Sequence, residues 1–192
     1  MAEIQRYPFS KDALNDLRDN AFAAGNWPLV YVLSDEKHGR AYIGETTDTL
    51  TRMSTHLKHD EKQLLTAVHL ITSEYFNKSA TLDVESLLIK YMAADGKYTL
   101  LNGNLGLADH NYYQRSALYE EVFREVWNRL IAKGVVSRTL DHLDNSDVFK
   151  YSPYKSLSFD QRQGLLTILH ELTNPGVQNI VVEGGAGTGK SV

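Results

Sequence analysis

Hydrophobic and polar positions follow two rhythms along this chain, one suited to strands and one to helices. Leu29 to Leu33 is a run of apolar, β-branched and aromatic residues, Ser34 to Arg40 is polar with a turn around His38-Gly39, and Ala41-Tyr42-Ile43 resumes the strand composition. That order predicts a β-hairpin, with Gly44 ending its second strand. Thr66 to Thr72, carrying Val68, Leu70 and Ile71, predicts a third strand. Elsewhere the apolar spacing is helical. Ser10 is placed to cap a helix bearing Ala13, Leu14, Leu17, Ala21 and Phe22, stopped by Gly25-Asn26. Leu50, Met53 and Leu57 follow capping residues at Glu45 to Asp48 and mark an amphipathic helix. A longer helix opens at Ser79 or Thr81, runs to about Ala94 on a seam of Leu82, Ile89 and Met92, and closes at Asp95-Gly96. Leu118, Val122, Val126, Leu130 and Ile131 set a further helix between about Tyr112 and Gly134, and Val135 to Ser158 reads as a connector.

The expected fold class is therefore α/β, a small antiparallel sheet of three strands flanked by helices, with a helical extension. Composition narrows the setting. The chain has no cysteine, which excludes disulfides and thiolate metal sites and makes a reducing, cytoplasmic interior the expected compartment. No apolar run approaches the length of a membrane span, so no membrane partner is expected. A net charge of −4 gives no overall attraction to nucleic acid, and any such binding must come from a local concentration of cations.

A few polar residues stand where the pattern does not require them. Tyr31 and Tyr42 fall on the two facing strands of the hairpin. Arg52 and His56 are four apart, on one face of their helix. Glu85 lies three after Leu82 and four before Ile89, on an apolar seam where a carboxylate is costly unless paired or bound to a cation. Asn102 follows the apolar pair Leu100-Leu101 and suits a turn. Each has a plain structural explanation when taken alone. His59, His69, His110, His142 and His170 are scattered without metal-ligand spacing, and Lys58, Lys62 and Lys78 suit a solvated helix end as well as a nucleic-acid backbone.

Taken in order, Tyr31, Tyr42-Ile43-Gly44, Arg52, His56, Glu85 and Asn102 resemble the GIY-YIG nuclease family. The second tripeptide of that name is intact, and the first survives only as the tyrosine of Leu29-Val30-Tyr31. The resemblance implies a metal-dependent endonuclease that hydrolyses phosphodiester bonds, in DNA before RNA, with Tyr42 as the base-like residue and Tyr31 orienting it or sharing the role. Hydrolysis needs an activated water, a cation for charge developing on phosphorus and help for the leaving oxygen. Glu85 suits a Mg²⁺ (or Mn²⁺) that keeps most of its waters, Arg52 suits a clamp on phosphate oxygens, and Asn102 would hydrogen-bond within the site. A phenol with an ordinary pKa near ~10 must be made more acidic, for which the metal, Arg52 and a proton-accepting His56 are candidates. A homo-oligomer would bring two such sites together for double-strand cutting.

The last stretch changes register. Asn179 to Glu183 reads as a short strand, and Gly184 to Ser191 fits a phosphate loop, with Gly184 and Gly189 bracketing four residues before Lys190 and Ser191. Leu157 to Gln161 resembles the adenine-reading glutamine motif of superfamily 1 helicases. The expectation is the start of a helicase-like or Schlafen-like ATPase of a longer protein, some relatives of which act against phages, with ATP used only in that full-length parent. The expected domains are an amino-terminal helix over 1–26, the nuclease domain over 27–111, a helical connector over 112–155 and the ATPase start over 156–192. The alternative function is a catalytically weak nucleic-acid-binding module that targets such an ATPase.

Overall fold

The computed structural model describes residues 2–103 and 118–146, with the backbone alone for 118–120. The chain divides into two units at Leu143, and the elements below belong to the first, apart from the last residue of the final helix. They run β1 (Ala2–Pro8), two short 3-10 turns, α1 (Ala21–Ala24), β2 (Leu29–Asp35), β3 (Arg40–Thr46), α2 (Thr49–His56), a 3-10 turn (Lys62–Leu64), β4 (Ala67–Ser73), α3 (Lys78–Asp95), β5 (Thr99–Leu100), a π-helical turn (Leu118–Phe123) leading into α4 (Arg124–Ala132), and α5 (Leu140–Asp144).

The sheet is mixed, five strands in the order β1-β4-β2-β3-β5. The three expected strands are present as β2, β3 and β4, with β2 antiparallel to both of the others, and β5 adds to β3 in parallel. The strand at the edge of the other side, β1, lies where the sequence reading places only a helix over 1–26. Ala2 and Ile4 are buried while Glu3 and Gln5 are exposed, an alternation of period two. The expected helix from Ser10 is also broken up. Ser10 does accept from the Ala13 amide at 3.3 Å, but Asn20 is extended and its side chain accepts from the amides of Phe22 and Ala23, so a new, short helix starts there.

The hairpin turn holds because Asp35 accepts from the amides of Lys37 and His38 and Gly39 adopts φ +60°. Asp48, one of the expected capping residues, caps α2 through the Thr51 amide, and Asn77 caps α3 through the Ala80 amide, two residues before Ser79 and four before Thr81. Gly96 ends α3 at φ +72° with its amide on the Met92 carbonyl.

The two faces of the sheet are covered differently. Leu29, Tyr31 and Leu33 of β2 and Val68 and Leu70 of β4 join Phe9, Leu17, Ala23, Met53 and Leu65 in one core. The opposite face carries Val30, Val32, Ile43 and Ile71 against α3 and α4. There Tyr91, Phe123 and Trp127 stack within 5.5 to 6.1 Å of one another, and buried Asp95 accepts from the Ser137 and Arg138 amides, tying the end of α3 to the turn after α4. None of the helices among the described residues is long and apolar enough to cross a membrane.

Candidate active site

Antiparallel pairing sets Tyr31 opposite Gly44 and Leu33 opposite Tyr42, so both phenols leave the same face of the hairpin. Tyr31 is fully buried, and its phenol lies directly against Gly44. A Cβ at position 44 would collide with the Tyr31 hydroxyl and Cζ. The glycine of Tyr42-Ile43-Gly44 is thus the gap through which one tyrosine crosses its partner strand. Leu29, where the resemblance would have glycine, is a buried core residue opposite Thr46.

Helix α2 delivers the next two groups, four residues apart and one turn along. Arg52 Nε donates to the Tyr31 hydroxyl at 3.1 Å, and His56 Nε2 lies 2.7 Å from the same oxygen. Arg52 fills one acceptor position of the phenol, and a neutral His56 carrying its proton on Nδ1 would accept the phenol's own proton. The electrostatics agree. Burial first, then Lys62 and Arg52, holds the His56 pKa down to about 3. Tyr42 completes an aromatic triangle, its ring centroid 6.4 Å from Tyr31 and 5.1 Å from His56.

Neither phenol is made acidic in this arrangement. Burial raises the pKa of Tyr31 far above its ordinary value and raises that of Tyr42 as well, and Arg52 opposes the rise in both without overcoming it. His56 therefore holds the proton of Tyr31 in place and does not withdraw it. Tyr42 is the phenol left half-buried at the cleft.

Glu85 reaches this cleft from α3, on the other side of the sheet. Half-buried, it makes no direct ion pair with Arg52, and its pKa is pushed up to about 7, by burial first and then by the neighbouring Glu45, with Arg52 and Lys78 acting the other way. The same carboxylate acts on both Tyr31 and Tyr42. Glu45 itself is held by Lys78, whose ammonium is 2.5 Å from each carboxylate oxygen, with Thr81 Oγ1 at 3.4 Å. Lys78 is accordingly engaged within the fold.

Asn102 makes its hydrogen bonds to the backbone of β3. Its amide clamps the Ile43 backbone, accepting from the Ile43 N–H at 3.0 Å and donating to its carbonyl at 2.8 Å. It holds the strand between Tyr42 and Gly44, a positioning role. Lys62, which the sequence offers as a solvated helix end or a nucleic-acid backbone contact, and Glu45, which it offers as a capping residue, both come to the cleft. Lys62 sets its ammonium 3.6 Å from the centroid of the Tyr42 ring. The expected nucleotide-binding residues Gly184, Gly189, Lys190 and Ser191 lie outside the described residues.

The donor set for a metal ion is spare. Among the described residues no three His, Cys, Asp or Glu side chains cluster as a metal cage. What is present is one half-buried, poorly compensated carboxylate, Glu85, with a second, Glu45, close enough to raise it further. That chemistry fits a hard cation which keeps several waters and takes one or two carboxylates.

An antiparallel hairpin with two converging phenols, followed by a helix with Arg and His and a second helix with Glu, defines a class of domain. Residues 28–98 match the family model of the GIY-YIG catalytic domain. The fold is α/β with a mixed five-strand sheet, of which β2, β3 and β4 lie within the matched residues, and a GIY-YIG domain points to the nuclease superfamily, an enzyme type that acts on nucleic acid. No curated protein and no solved structure matches the chain significantly.

Proposed function

We propose that the GIY-YIG segment is a metal-dependent endonuclease that hydrolyses phosphodiester bonds, with DNA as its substrate. The observation that carries this reading is the convergence of Tyr31, Tyr42, Arg52, His56 and Glu85, brought from four separate elements, on one cleft. Glu85 would hold the cation, Mg²⁺ or Mn²⁺, which when bound supplies charge stabilisation at phosphorus and acidifies water. Arg52, its Nε fixed by Tyr31, keeps terminal N–H groups for phosphate oxygens. Tyr42, half-exposed at the cleft, takes or relays the proton of the attacking water. Tyr31 and His56 hold Arg52 and Tyr42 in register, and Asn102 fixes the strand beneath them.

Nicking of supercoiled plasmid with Mg²⁺ or Mn²⁺ tests the reading. Wild type should nick, and Tyr42→Phe and Glu85→Ala should each lose roughly 100-fold or more, as when a group acting in the transition state is removed. Equal rates in all three would overturn it. The alternative, a nucleic-acid-binding module with little turnover, draws support from burial holding both phenols in the neutral form. It predicts oligonucleotide binding without metal-dependent nicking. The further reading of an ATPase partner domain and defence against phage rests on Leu157–Gln161 and Gly184–Ser191 as sequence patterns alone, and this chain by itself is expected to bind ATP negligibly.

A further inference from the structure

Lys62 opens the 3-10 turn that follows α2, and there its side chain folds back over the cleft instead of extending into water. Its ammonium sits 3.6 Å from the Tyr42 ring centroid, close enough for a cation–π contact. Arg52 approaches the same pair of tyrosines from α2. Among the described residues neither cation makes an ion pair, in contrast to Lys78, which is neutralised by Glu45. Lys62 and Arg52 are near enough to repel each other, and burial together with Arg52 lowers the Lys62 pKa. Two cations drawn together beside a phenol, neither of them in an ion pair among the described residues, are stable only at a cost that an arriving anion would remove. In a chain of net charge −4, such a local pair is what would draw a polyanion to this place.

We propose that Lys62 is a substrate-binding residue, which with Arg52 forms a two-cation cradle for one backbone phosphate of the nucleic acid, across the face of Tyr42. The inference rests on the nuclease reading above and adds to it a specific phosphate contact from the turn after α2. Lys62 is also a neighbour of His56, whose neutrality it helps to enforce. One residue thus both receives the substrate and keeps Tyr31 hydrogen-bonded to an uncharged imidazole.

The test is binding of a fluorescein-labelled DNA duplex by anisotropy in EDTA, over a series of KCl concentrations, for wild type, Lys62→Met and Lys62→Arg. Lys62→Met keeps an apolar stem over Tyr42 but removes the charge. Its slope of log K against log salt should be shallower than wild type by about 0.9, the value for one lost duplex phosphate contact. Lys62→Arg should keep the wild-type slope. Plasmid nicking by Lys62→Met should fall in kcat/KM, and Lys62→Arg should restore it. A slope in Lys62→Met equal to wild type, with nicking intact, overturns the cradle and leaves the nuclease reading standing. A shallower slope in Lys62→Met, with a wild-type protein that never nicks, sinks the nuclease reading and keeps the cradle. If Lys62→Met does not fold, Lys62→Gln carries the same measurement. A wild type that binds no nucleic acid overturns both.

Discussion

Two buried polar clusters lie on opposite faces of the same sheet, and only one of them resembles a site. On one face Tyr31 is bonded to Arg52 and His56. On the other, reached by the alternate residues of the same strands, Ser34 of β2 and His69 of β4 lie near Tyr98 and Glu36. In both, burial is the main cause of large shifts: it holds His56 down to about 3 and His69 to about 4, and pushes Tyr98 up to about 12 as it raises Tyr31. A displaced pKa therefore does not tell the two apart. Partnering does. The Tyr31 hydroxyl has two hydrogen-bond partners, Arg52 and His56, whereas Ser34 Oγ, His69 Nδ1 and the Tyr98 hydroxyl are buried without a hydrogen-bond partner among the described residues. Nearby charge does not tell them apart either, since Lys62, Arg52 and Glu85 act on the first cluster and Arg6, Lys133 and Glu36 on the second.

The contrast can be broken most forcefully at Gly44. Gly44→Ala should drive Tyr31 out of place, eliminating plasmid nicking and lowering stability by about 3 kcal/mol in urea denaturation, as overpacking of a tight contact does. Ser34→Ala, by comparison, removes an unpartnered hydroxyl and should leave both within error. A smaller difference separates the phenols. Tyr31→Phe strands His56 Nε2 and the Arg52 N–H, so it should cost about 1–3 kcal/mol and depress nicking roughly 100-fold. Tyr98→Phe should be neutral or slightly stabilising, with nicking unchanged.

The histidines sharpen the comparison through pH. Each has a folded pKa below the ordinary 6.5, so its contribution to stability is complete above pH 6.5 and is lost as pH falls toward 3 for His56 and 4 for His69. In that window each accounts for a slope of about 1.4 kcal/mol per pH unit. His56→Gln and His69→Gln should each flatten the acid limb of a melting-temperature profile by one such share, and only His56→Gln should also reduce nicking. The mildest change is at Asn102. Asn102→Ala loses two hydrogen bonds to Ile43 and should cost about 1–2 kcal/mol, with a several-fold drop in kcat and little change in duplex binding.

Much of the site was legible because periodicity places its side chains. The strand alternation puts both tyrosines on facing strands, a spacing of four puts Arg52 and His56 on one helical face, and a carboxylate on an apolar seam marks Glu85. The sequence could not show Lys62 at the cleft, since the turn that folds it back over Tyr42 has no period and its direction is set by tertiary contact. Glu45 was hidden for the same reason: its relation to Glu85 and Lys78 exists only once α3 has packed beside β3. Strand β1 was missed although Ala2 and Ile4 alternate with Glu3 and Gln5, because two buried apolar side chains are a weak signal among charged neighbours. Strand β5, two residues long, offers no pattern at all.

Asn102 has a bearing on assembly as well as on the site. Past its short pairing with β5, strand β3 has no further strand partner among the described residues, and such an edge is the kind of surface onto which a foreign strand can add. Leu101 still gives its amide to Ala41, and one step further the Asn102 carboxamide offers Ile43 the same donor and acceptor that a peptide group would. A side chain thus continues the ladder where the backbone has turned away, and the strand bearing Tyr42 is closed at Ile43 to intruding chains.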